Sequence, residues 1–74
     1  MEATDYMRIN KMEAITLALK LVENNEINYA HRLLLIIDKS ISREKTNNKF
    51  SEDLEVSNSS DIRFLNILLK RYSL

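Results

Sequence analysis

Cysteine, glycine and proline are all absent from this chain of 74 residues, and histidine occurs once. Without cysteine there can be no disulfide and no thiolate-based zinc site. One histidine leaves little from which to build any other metal centre. A domain of this size buries a modest core and commonly relies on a disulfide, a metal or a partner subunit. With the first two removed, a partner chain or a well-packed helical core is the expected remedy.

Average usage is roughly 7% Gly and about 5% Pro, so a chain of this length would normally carry several of each. Tight hairpins of types I′ and II′ lean on glycine. Phosphate-cradling loops of the GxGxxG and GxxxxGK[ST] kinds require it outright. Their absence favours helices joined by Asn- and Ser-rich connections. Charge of one sign is also missing: 11 Lys and Arg balance 11 Asp and Glu. That argues against a nucleic-acid binder relying on bulk charge, though not against a local basic face. The N-terminal "MEATDYMRIN" has no basic region followed by an apolar run, and no apolar run approaches the ~20 residues that cross a bilayer. The expectation is a soluble, cytoplasmic protein with no membrane contact.

What is present is helical periodicity. Advancing about 100° per residue, Ala14, Leu17, Ala18 and Leu21 form one stripe and Met12, Ile15, Leu19 and Val22 the adjacent one. A helix over about 4–24, capped by Thr4 or Asp5, would thus touch more than one neighbour and be the central helix. "ENNEIN" breaks the pattern, with Asn25 or Asn28 available to cap the next helix. The short connection makes that helix an antiparallel neighbour. It spans about 27–43, with Tyr29, Ala30, Leu33, Leu34, Ile36, Ile37 and Ile41 on the core side. Residues 44–59 read as a flexible polar linker that tacks Phe50 or Leu54 onto the bundle or orders on a partner. Ser60 caps a third helix over about 60–73, whose core stripe is Ile62, Phe64, Leu65, Leu68, Leu69 and Tyr72. The predicted fold is all-α: one small three-helix bundle built on an antiparallel helical hairpin.

The chemistry-bearing residues are sparse. His31 lies on the polar side of its helix, with no second His and no orienting carboxylate in reach. Glu23 and Glu26 flank an exposed turn, where carboxylates are ordinarily just solvated. No catalytic, cofactor or metal site is expected, and the chain is read as a non-enzyme. Two residues break the pattern. Leu35 projects among His31, Asp38, Asn28 and Lys39, and Ile67 projects between Arg63 and Lys70. Single exposed aliphatics are ordinary. The sharper reading is an interface with apolar centres and a polar rim.

"LALKLVENNEINYAHRLLLIIDKSI" resembles the antiparallel hairpin of tetratricopeptide proteins and of MIT domains. Ala18 and Ala30 would be the small residues at the helix–helix contact and Tyr29 the aromatic opening the second helix. The resemblance covers about 25 residues, with Tyr and Ala adjacent where those families separate them by a turn. It implies binding of a peptide or helix in a groove between helices.

The functional expectation is a small protein-interaction module. It would act as an adaptor or as a regulator or inhibitor of a larger protein, by helix-face docking, and as a homodimer. Its interface would contain Leu35, Ile67, His31, Asp38, Arg63 and Lys70. Two alternatives stand beside it: a nucleic-acid-binding regulator using Arg63, Lys70 and Arg71, and a structural subunit or MIT-like peptide receptor.

Overall fold

Asparagine does the conformational work that glycine does in most chains. The residues with positive φ among those described are Asn25 (61°) and Asn48 (54°), both just past a helix end. The short polar side chain of Asn tolerates this left-handed region. Asn10 and Asn58 cap helix N-termini instead. The Asn10 side chain accepts from the amides of Met12 and Glu13, at 2.9 and 3.2 Å, and that of Asn58 from Asp61 at 3.1 Å.

The structure, a computed structural model, describes residues 6–72. The elements are β1 (Met7–Asn10), α1 (Lys11–Glu23), α2 (Ile27–Asn47), β2 (Asp53–Val56) and α3 (Ser59–Arg71). α1 and α2 form an antiparallel hairpin closed at both ends. At the turn, the Glu26 amide donates to the Leu21 carbonyl at 2.8 Å. At the far end, the Lys11 ammonium meets the Glu44 carboxylate at 2.8 Å. That hydrogen bond, helped by the Ser51 amide, holds the Glu44 carboxyl below the usual carboxylate range.

α3 packs antiparallel to the first half of α2. Arg32 reaches Ser60 and Asp61 at one end of the contact. At the other, Arg71 pairs with Glu26 at 2.8 Å and the Tyr72 hydroxyl donates to the same carboxylate. The middle helix is therefore α2, with α1 and α3 on its two flanks. β1 and β2 pair antiparallel, in the register Met7↔Val56, Arg8↔Glu55, Ile9↔Leu54 and Asn10↔Asp53. Ile9, Leu54 and Val56 turn inward while Arg8 and Glu55 form an outward ion pair at 3.3 Å. The buried Ser40 hydroxyl donates to the Glu55 carbonyl at 3.0 Å and ties α2 to β2. Leu17, Leu21, Leu33, Leu54, Leu65 and Leu68 are the large fully buried side chains.

The three expected helices are present, but the fold is not a pure bundle. Residues 7–10, expected within the first helix, are a strand; Thr4 and Asp5 lie outside the described residues. The expected linker holds the last turn of α2 and all of β2. It buries Leu54 while leaving Phe50 exposed. The cap of α2 is Glu26, with no side-chain hydrogen bond, and that of α3 is Asn58 rather than Ser60. The expectation that α1 is central fails because only Ala14, Leu17, Ala18 and Leu21 of its two stripes are buried.

The contact of α3 with Glu26 carries a pH dependence. The hydrogen bond to Glu26, together with burial and the carboxylate's charge, raises the Tyr72 phenol above its usual value. The Glu26 charge likewise raises the Arg71 guanidinium. A phenol whose folded pKa exceeds its unfolded value of about 10 contributes stability that is present below that pH. The contribution is lost as pH rises through the folded pKa. Alkaline thermal melts of the wild type should therefore fall more steeply than those of Tyr72→Phe. Parallel curves for the two proteins would show that this contact carries no such linkage.

Candidate docking surfaces

Two helix-built faces leave large apolar side chains in solvent. The first is the outer face of the α1–α2 hairpin. Met12, Ile15, Leu19 and Val22 are between 43% and 68% exposed. Their spacing of three, four and three residues sets them in one straight stripe along α1. Ile27 and Leu34 on α2 are each 52% exposed. Round α2 they follow Ala30 and Ile37 in the same sense that Val22 and Ile15 follow Ala18 on α1. In an antiparallel pair both sets then fall on one side of the seam. Leu34 was expected in the core. It is uncovered because α3 lies on the other flank of α2, where Tyr29 and Arg32 meet Phe64.

The second face is formed by α2 and α3. A groove of about 260 Å³ is lined by Tyr29, Arg32, Arg63, Phe64, Ile67 and Arg71, among others. The Tyr29 and Phe64 rings meet edge to face, 5.9 Å between centroids at 63°. The Arg32 guanidinium stacks 4.4 Å over Phe64, and that of Arg71 lies 5.8 Å from the Tyr29 ring. Such stacking fixes long cationic side chains that would otherwise be mobile. Asp61, largely buried, holds Arg32 at 3.6 Å and Lys39 at 3.3 Å. The groove lining itself contains no carboxylate.

The sequence-derived site residues divide between these surfaces. Ile67 is 54% exposed and forms part of the groove; on its other side it borders Arg63 and Lys70. Leu35, also 54% exposed, lies across Arg32 from the groove, in a shallow depression with Asp38 and Lys39. Arg32 thus stands between the two aliphatics. His31 is exposed on the outer side of α2 and makes no hydrogen bond or ion pair among the described residues. Of the three cations considered for nucleic acid, Arg71 is engaged by Glu26, whereas Arg63 and Lys70 are exposed.

Sequence reasoning missed the α1 stripe by assigning it to the core. No local signal separates the two stripes, since both are aliphatic at helical spacing and a three-helix bundle could cover either. It also missed the pairing of Tyr29 with Phe64, which the helical wheels place separately.

Among the described residues no three His, Cys, Asp or Glu side chains gather to hold a metal ion. No helix there is long and apolar enough to cross a membrane. Comparison with protein-family models, with curated proteins and with solved structures finds no match to this chain.

Proposed function

We propose that this chain is a protein-interaction module, an adaptor or regulator of a larger protein, that docks through its α2–α3 face. One observation carries the reading: Ile67 stands half exposed in an apolar groove bordered by Arg32, Arg63 and Arg71. An apolar centre with a charged rim is the anatomy of a docking site. Buried aromatic and Arg anchors supply most of the energy at such sites. The matching partner is an acidic helix or strand carrying an aliphatic or aromatic anchor. The anchor packs on Tyr29, Phe64 and Ile67, and its carboxylates meet Arg63 and the guanidinium edges that Asp61 and Glu26 leave unpaired. The cations steer the encounter and fix the register; the apolar contact holds the complex.

The test is affinity purification of the wild type and of Ile67→Glu from the cells that make the protein, with identification of what is retained. The expected result is a protein held by the wild type and lost, by at least about thirtyfold in affinity, from the variant. Retention of nucleic acid that weakens steeply with salt and vanishes when Arg63 and Lys70 are changed to Gln would favour the alternative reading instead.

A further inference from the structure

We propose that the outer face of the α1–α2 hairpin is covered by the same face of a second copy, with the two α1 helices antiparallel about a two-fold axis. The α2–α3 groove lies outside this contact.

The first ground is area. Met12, Ile15, Leu19, Val22, Ile27 and Leu34 are all between 43% and 68% exposed. Together they present on the order of 600 Å², the top of the range for the largest apolar patch on a typical monomer. That approaches the ~800 Å² per partner of a standard interface. The second ground is spacing, since the α1 stripe is the apolar seam of a helix that packs lengthwise on another. The third is what the chain itself can offer. α3 is committed to the opposite flank of α2, where Arg71 and Tyr72 hold Glu26. A second hairpin completes a four-helix layer that one copy leaves half built.

Apolar register and the helix dipoles set the direction. An antiparallel pairing sets Met12 against Val22 and Ile15 against Leu19 of the second copy, so that each apolar residue of the seam meets another. The antiparallel pair also opposes the helix dipoles. At the level of the axis the flanking residues are Thr16 and Ala18, which are small and uncharged.

The arrangement has a functional consequence. Dimerisation through α1 leaves both α2–α3 faces outward, so the particle carries two copies of the groove that contains Ile67. A two-site partner, or two partners, would then be held with the avidity of a bivalent binder.

Sedimentation velocity on the full chain reads the association directly. The wild type should sediment as a dimer. Leu19→Glu and Ile15→Lys should each weaken the dimer at least about thirtyfold with helical circular dichroism unchanged. Ile67→Glu should remain a dimer. The lack of native cysteine makes the direction testable as well. Under oxidation, Met12→Cys combined with Val22→Cys should give a covalent dimer. Met12→Cys alone should not, because its two copies lie about 15 Å apart along the axis, beyond disulfide reach. A wild type that stays monomeric at high concentration overturns the inference. So does a dimer indifferent to both α1 substitutions, or cross-linking by Met12→Cys alone. Partner capture that depends on Ile67 is read separately, so the two proposals can fail independently.

Discussion

Replacing Leu33 by alanine is expected to destabilise the fold by about 2–5 kcal/mol. Leu33 has no exposed surface, and it sits on the helix that packs against α1 and β2. It belongs to the one core cluster that also holds residues of α1, β2 and α3, and a void left in such a core is only partly filled by relaxation. The size of the chain sharpens the effect. At ~0.05–0.15 kcal/mol per residue, a domain of this length has a total stability of only roughly 4–11 kcal/mol. Leu33→Ala therefore removes a large part of it, and partial unfolding at ambient temperature is the expected outcome. Leu35→Ala, two residues further on and 54% exposed, is the matched control and should change stability by less than about 0.5 kcal/mol. Urea unfolding followed by circular dichroism decides the matter, at one protein concentration because self-association would shift the midpoint. Equal costs at the two positions would mean that α2 presents a different face to the core.

The second large effect concerns the polar stretch between α2 and α3. Leu54→Asp should abolish folding or cost more than about 3 kcal/mol, since it puts a carboxylate where only 1% of the residue is exposed. Phe50→Asp, four positions earlier, should be close to neutral because Phe50 is 66% exposed. The contrast separates a strand docked on the core from a mobile tether, in which neither change would matter. Hydrogen exchange adds a second readout. The amide of Lys11, which donates to the Glu52 carbonyl at 2.8 Å, should be protected in the wild type and lose protection in Leu54→Asp.

The helices were legible because their signals are local. Ala14, Leu17, Ala18 and Leu21, then Ala30, Leu33, Ile36 and Ile37, and later Phe64, Leu65 and Leu68, recur at helical spacing, and all are buried. The strands were not legible, because two inward residues in each of two four-residue segments are too few for a period of two to register. Ile9 and Leu54 meet across 45 positions of sequence, a pairing no local window can contain. Ser40 illustrates the same limit. On the helical wheel it is one polar residue beside Ile36 and Ile37, and only the Glu55 carbonyl of β2 explains its burial.

The sequence alone determined that the chain would be helical, that its turns would fall at asparagines, and that it must manage without disulfides. Each follows from residue type and spacing within one segment: apolar recurrence near 3.6 residues, the tolerance of Asn for the left-handed region, and the lack of Cys, Gly and Pro. Tertiary structure decided which of two equally apolar stripes on α1 entered the core. Both are aliphatic at helical spacing, so hydrophobicity could not rank them. The choice was made by the number of neighbours within reach. α2 covers one stripe, α3 docks beyond α2 where Glu26 and Asp61 hold it, and Met12, Ile15, Leu19 and Val22 remain in solvent.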